Sequence, residues 1–249
     1  MWTPFRTDDG SWTLVHSGHG EACHSLAGAW QQARERYAGP CRLAELARER
    51  DVVRLLDIGT GLGLNLACAL AALDGTPARL EAASFELDPT VLRAAFELRD
   101  WPAEVAPWIA RAHDALAREL QSPGSTGWLR LELGDAREHL PRTPRLPPFD
   151  AVFLDPFSPG VEGELWAPEF VAEIAARMAP HAVLSTYSAS FKVRLALAAA
   201  GLEVGKGPRV GRKAEGTLAG KRSDLPPLDP RTTRRLSSRC QRGGLRPGA

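Results

Sequence analysis

Val52-Val53-Arg54-Leu55-Leu56-Asp57-Ile58-Gly59-Thr60-Gly61-Leu62-Gly63-Leu64-Asn65 joins an apolar run to a glycine-rich turn, and an Ala/Leu-rich stretch continues from it to about Leu73. Strand, glycine turn and helix in that order open a βαβ unit, the building block of a parallel sheet. Gly59, Gly61 and Gly63 let the backbone turn sharply and approach a ligand with no Cβ in the way. The turn lacks the Lys-Ser/Thr ending of a triphosphate-binding loop, and its third glycine arrives one residue early for the nicotinamide pattern. A tight structural turn is the alternative role.

The same alternation continues along the chain. Ala78 to Phe85 supplies a second strand, and Asp88 caps a helix with Pro89 at its first position, running to Arg99. Residues 101–122, with Trp101, Trp108 and Leu116 among charges, read as a helical insertion. Trp128 to Leu133 and Phe149 to Asp155 form the third and fourth strands, each followed closely by an acid. A helix over 169–178, a fifth strand over 182–187, a helix from Phe191 to Ala200 and a terminal pair near 202–206 and 216–221 complete an α/β fold of seven strands.

Three regions follow. Residues 1–50 read as a lead and a helical extension on the core, because Ala22, Leu26, Ala29, Ala33 and Tyr37 form one apolar stripe that Gly39-Pro40 ends. Residues 51–221 form the α/β domain. Residues 222–249 are expected to be a flexible basic tail, given Pro226, Pro227, Pro230 and Gly243-Gly244.

Composition narrows the class further. The 249 residues are 44% hydrophobic and 24% charged, ordinary for a globular chain, and no run approaches the ~20 apolar residues of a membrane span. Nothing at Met1-Trp2-Thr3-Pro4-Phe5 resembles a secretion signal, so the expected location is the cytoplasm. Cys23, Cys41, Cys68 and Cys240 have no metal-ligand spacing and read as free thiols; no metal is expected. The net charge of +1 hides an asymmetry: residues 206–249 carry 12 Lys+Arg against 3 Asp+Glu, a balance of +9, and residues 1–205 balance at −8. A basic end on an acidic body suits asymmetric contact with a polyanion, or a solvated tail.

Ligands of open α/β sheets lie beyond the carboxyl ends of the strands. Five features fall there. The glycine turn with Asp57 and Thr60 is the first. Glu86, at the end of the second strand beside Leu87, can accept hydrogen bonds from both hydroxyls of a cofactor ribose, or be a surface acid. Asp135 can accept from an adenine amine while Ala136 leaves room for the ring; capping a helix is a compatible role. Asp155 heads Asp155-Pro156-Phe157-Ser158-Pro159-Gly160, with Trp166 shortly after, and a carboxylate beside aromatic surface suits a planar base carrying an amine. An aromatic loop packed over its own core is the competing role. Tyr187-Ser188-Ala189-Ser190 follows the fifth strand and can line the same pocket or cap the next helix.

This set resembles a class I S-adenosylmethionine-dependent methyltransferase. More narrowly, His16-Ser17-Gly18-His19-Gly20-Glu21-Ala22-Cys23-His24-Ser25, Gly28-Ala29-Trp30, the turn through Asn65, Phe153-Leu154-Asp155-Pro156-Phe157-Ser158-Pro159 and Glu164-Leu165-Trp166 are similar to the methyltransferase domain of the bacterial tRNA 5-methylaminomethyl-2-thiouridine biosynthesis protein. The similarity runs through Ser185-Thr186-Tyr187-Ser188 to Gly211-Arg212-Lys213 and covers about residues 10–220. Pro156, where relatives more often have glycine, and Tyr187, where they more often have phenylalanine, depart from it.

The resemblance implies a Rossmann-like, mostly parallel seven-stranded sheet with an antiparallel last strand and helices on both faces. It implies S-adenosylmethionine as donor, held by Asp57, Gly59, Thr60, Gly61, Gly63, Asn65, Glu86, Leu87, Asp135, Ala136 and Asp155. The implied acceptor is the aminomethyl nitrogen of 5-aminomethyl(-2-thio)uridine at tRNA wobble position 34. Asp155 is then the catalytic residue, Phe157, Trp166 and Tyr187 hold the uracil, and Arg209, Arg212, Lys213 and the later arginines meet anticodon-region phosphates. Relatives that also carry a flavin oxidoreductase domain remove a carboxymethyl group first; lacking that length, this chain is expected to depend on other enzymes for aminomethyluridine. A small-molecule amine or carboxylate methyltransferase and an inactive RNA-binding scaffold of the same fold are the alternatives. A nicotinamide oxidoreductase fits the glycine spacing poorly.

Overall fold

The computed structural model describes residues 1–143, 147–211, 215–222 and 224–242. Nine strands and nine α-helices are assigned among them. The first strands are β1 (Trp2–Arg6), β2 (Trp12–His16), β3 (Val52–Ile58), β4 (Arg79–Glu86) and β5 (Leu129–Leu133). They are followed by β6 (Phe149–Leu154), β7 (Met178–Thr186), β8 (Glu203–Lys206) and β9 (Thr217–Gly220). The helices begin with α1 (Ala29–Gln32), α2 (Leu43–Glu49), α3 (Leu64–Ala72), α4 (Pro89–Phe96) and α5 (Ala106–Gln121). The remaining ones are α6 (Ala136–Arg142), α7 (Pro168–Arg177), α8 (Phe191–Ala199) and α9 (Pro230–Arg242).

Seven strands form one sheet in the order β5-β4-β3-β6-β7-β9-β8. The first five of these are parallel, and β9 runs antiparallel between β7 and β8. Period-two alternation explains why both faces are covered: Leu55, Phe153 and Val183 enter one apolar cluster, whereas Leu56, Val152 and Leu184 enter the other. Helices α3 and α5 pack on the first face, α7 and α8 on the second. Chain direction reverses its spatial order between β3 and β6, and the crevice opens at that switch point.

The N-terminal region differs from the expected lead and continuous helix. Strands β1 and β2 form an antiparallel hairpin around Asp9-Gly10, where Asp9 accepts hydrogen bonds from Thr7 and Ser11. The apolar stripe becomes helical only from Ala29. Its earlier positions serve β2 instead: Glu21 O accepts from His16 N and Leu14 O from Cys23 N, so the backbone groups that would begin a helix are already used. Helix α1 runs directly into a π-helical stretch, Ala33–Ala38, which turns Tyr37 fully into the interior. Such single π stretches frequently mark functional positions.

The tail expected to be flexible instead carries α9. Its Leu236 and Cys240, one helical turn apart, are buried, and Arg235 lies over the Phe191 ring of α8 at 3.9 Å. One apolar stripe on an otherwise polar helix is enough to dock it.

Candidate active site

The tips of β3 and β6 touch. Asp155 N donates to Ile58 O at 2.9 Å, and a Cβ on Gly59 would stand 2.6 Å from the carbonyl oxygen of Asp155. With φ at +91°, position 59 needs glycine for its conformation and for this close approach. Around this junction opens a cleft of about 840 Å³, large enough for a nucleoside-sized cofactor with room beside it.

Gly59, Gly61, Glu86, Leu87, Asp135, Ala136, Asp155, Phe157 and Tyr187 all line this cleft. Glu86 is held in place by the turn it faces: its Oε2 accepts from Gly61 N at 2.8 Å and its Oε1 from Asp88 N at 2.9 Å. Burial pushes its carboxyl up to about 7, against the lowering effect of those two backbone donors, with Glu162 and Asp88 adding to the rise. Asp135 caps α6 through Arg137 N and is also paired with the Arg137 side chain, Nη2 to Oδ2 at 2.6 Å. Arg137 also pairs with Glu164, tying the β5 side of the cleft to the far loop.

Other expected residues sit behind the lining. Asp57 is fully buried beneath the turn, where its Oδ2 accepts from Ser84 Oγ at 2.7 Å and Ser84 Oγ meets Thr60 Oγ1 at 2.6 Å. Burial pushes Asp57 up to about 8. Asp57 and Thr60 therefore shape the glycine turn from below and do not face the cleft. Gly63, with φ +80°, starts α3 against Leu116. Asn65, also buried, reaches Asp155 instead: its Nδ2 donates to Oδ2 at 2.9 Å. Trp166 corrects the expectation of an exposed stacking face. It is fully buried, donates Nε1–H to Phe157 O at 2.9 Å and meets Tyr187 edge-on, because its ring fills the core beneath the loop. Arg209 is exposed on the turn after β8, outside the lining; Arg212 and Lys213 lie outside the described residues.

Three contributors escaped the sequence reading. Tyr37, from the π-helical stretch, donates its hydroxyl to Asp155 Oδ1, and burial and the facing carboxylate keep that hydroxyl protonated. Arg36 is buried with no hydrogen-bond partner on its guanidinium among the described residues, in a slot that exists because residue 216 is glycine. It lies close enough to Tyr37 and Asp155 to feel both, although burial lowers its own affinity for the proton. Glu21, inside a segment already singled out, accepts from Ser158 N at 3.1 Å and locks the N-terminal strap onto the aspartate-aromatic loop. That loop is held on all sides, since Glu162 accepts from Phe157 N at 2.7 Å and Tyr187 donates to Pro156 O at 2.9 Å. The nearby Asp9-Gly10 turn was the available signal for the hairpin; no local signal connects Tyr37 to Asp155.

Glu86 and Asp155 thus open onto one crevice, with the glycine turn between them. Residues 101–222 match a family model described as S-adenosyl-L-methionine-dependent methyltransferase. The structure of MNMC2 from Aquifex aeolicus superposes with a TM-score of 0.79 at 34% identity, covering 95% of this chain and 75% of that one. The chain belongs to the MnmC methyltransferase family.

Among curated MnmC relatives, the tRNA 5-methylaminomethyl-2-thiouridine biosynthesis bifunctional protein MnmC of Aromatoleum aromaticum is 36% identical over 216 residues, 81% of this chain and 32% of that protein. The chain therefore spans about a third of the length of the first MnmC proteins it matches. An uncharacterized protein, MJ0670 of Methanocaldococcus jannaschii, is 28% identical over 222 residues, 89% of this chain and 60% of that one. Membership makes this chain an S-adenosylmethionine-dependent methyltransferase. Among the described residues no cluster of His, Cys, Asp and Glu could hold a metal ion, and no helix is long and apolar enough to cross a membrane.

Proposed function

We propose that this MnmC-family chain methylates the aminomethyl nitrogen of 5-aminomethyl(-2-thio)uridine at wobble position 34 of tRNA, in the cytoplasm. The observation that carries this reading is the position of Asp155, at the contact between the glycine turn and the aromatic loop, with both carboxylate oxygens held. The names of the MnmC relatives supply the substrate class.

When bound, S-adenosylmethionine supplies a methyl carbon activated by the adjacent sulfonium charge. The protein fits it through the glycine turn, whose Gly59 and Gly61 line the cleft, and the buried Glu86 carboxylate, each of whose oxygens keeps a lone pair for a ribose hydroxyl. The remaining work is alignment of a neutral amine and exclusion of water. Asp155 accepts from Tyr37 and Asn65, and its ionised carboxylate orients the amine by accepting an N–H. Donors from Tyr37 and Asn65 hold the carboxylate in one orientation. In this reading Asp155 is an orienting acceptor that also steadies the charge developing on nitrogen, and the proton released from nitrogen passes to water at the cleft mouth. Phe157 and Tyr187 face the uracil, while Trp166 fixes the loop that presents them.

Transfer of labelled methyl to tRNA from cells lacking the modification, followed by nucleoside mass analysis, tests the proposal. The expected product is 5-methylaminomethyl(-2-thio)uridine; donor binding without any transfer to that tRNA overturns it.

A further inference from the structure

Helix α9 lies beyond the residues matched by the methyltransferase family model, which end at 222. It contains Arg231, Arg234, Arg235, Arg239 and Arg242 and no acidic residue, and all five arginines are exposed. Arg231, Arg235, Arg239 and Arg242 are spaced four, four and three apart, so they form one stripe beside the buried Leu236 and Cys240. At 1.5 Å per residue the stripe is about 16 Å long.

One contact places the stripe: Arg235 lies over the ring of Phe191, the first residue of α8, at 3.9 Å. Phe191 follows Tyr187, which lines the cleft, by four residues. The arginine stripe thus meets α8 at the cleft end of the sheet. Exposed Arg209 occupies the turn at that same end, where Gly211 packs on Ser25 and Ala27 of the strap. Among the described residues the cleft is lined by seven acids, Asp8, Glu21, Glu86, Asp135, Asp155, Glu162 and Glu164, against two basic residues, His24 and Arg137. A polyanion cannot enter such a cleft along its backbone; its phosphates must be held elsewhere.

We propose that α9 is an RNA-docking arm whose arginine stripe holds phosphates flanking the target nucleotide, so that only the base and its amine enter the acidic cleft. This rests on the tRNA reading above. Arginines in a row on a rigid helix neutralise successive phosphates and release counterions, which makes binding strongly salt-dependent.

The test compares the wild-type chain with R231Q/R239Q/R242Q, which leaves Arg235 on Phe191. Binding of tRNA lacking the modification is titrated by fluorescence anisotropy across salt concentrations, alongside donor calorimetry, thermal melting and binding to phosphatidylserine vesicles. The expected result is at least a tenfold loss of tRNA affinity near 0.15 M salt and a log–log salt slope shallower by about 2. Donor affinity and melting temperature stay at wild-type values. Equal tRNA affinity and equal slope in the two proteins overturn the arm, as does loss of vesicle binding with tRNA binding intact. Failure of the tRNA reading shows differently: wild-type protein then transfers no methyl to the tRNA whatever the variant does to binding.

Discussion

Tyr37 donates its hydroxyl to Oδ1 of Asp155, so the carboxylate at the centre of the cleft is anchored by a residue that precedes the first strand of the large sheet. A hydrogen bond to a charged group contributes about 1.5–3 kcal/mol, or roughly ten- to a hundredfold in rate when it holds a reacting geometry. Tyr37→Phe is expected to lower kcat by that factor with donor Kd within twofold of wild type. Steady-state kinetics and donor calorimetry check this; a kcat equal to wild type would reject the anchoring role.

Glu86, as the proposed ribose acceptor, is expected to make donor binding and stability respond to pH in opposite directions. Its carboxyl is raised by burial from 4.5 to about 7, so its share of stability is fully present below about 4.5 and is lost as pH rises through about 7. In the proposed site the ionised form is the one that would accept from ribose hydroxyls, so donor affinity is expected to strengthen as pH rises through the same window. Calorimetry at pH 6 and 8 with wild type and Glu86→Gln checks this. The variant should bind the donor more weakly at pH 8, with a flatter pH dependence.

Two glycines with positive φ separate conformational strain from close approach. Gly75 has open space around it, whereas a Cβ at Gly59 meets the Asp155 carbonyl. Gly75→Ala is expected to cost about 1 kcal/mol with donor binding intact. Gly59→Ala is expected to cost about 2 kcal/mol or more, because overpacking adds to strain, and to abolish donor binding by parting β3 from β6. Urea denaturation and donor titration distinguish the two.

The burial of Trp166 predicts a stability phenotype. Trp166→Ala should lose about 3–5 kcal/mol, the usual cost of emptying a buried aromatic site. Trp166→Phe keeps most of the packing and loses the bond to Phe157 O; it should raise the KM for the acceptor and leave donor Kd unchanged. A Trp166→Phe enzyme with weakened donor binding and normal acceptor KM would contradict a role beneath the aromatic loop.

The sheet was legible because its strands carry their own pattern: adjacent apolar residues such as Leu55 and Leu56 serve opposite faces, which marks a strand covered on both sides. Glu86 and Asp155 were legible as acids at strand ends, where a parallel sheet concentrates its chemistry. Asp57, Asn65 and Trp166 belong to the site region, yet their side chains turn beneath or behind the lining, and facing direction depends on packing that spacing does not encode. The hairpin was obscured by short strands, one containing Pro4, although Asp9-Gly10 is a turn signal. Helix α9 was hidden by prolines that border it without entering its interior, Pro230 occupying the first position, where proline is tolerated.

The Tyr37–Asp155 bond also sets a timetable for synthesis, because its two ends are 118 residues apart. At roughly 5–20 residues per second, the strap leaves the ribosome about 6–24 s before the residue it will clamp. During that interval its buried tyrosine and arginine have no carboxylate to meet, and the cleft is completed only when β6 has emerged and docked.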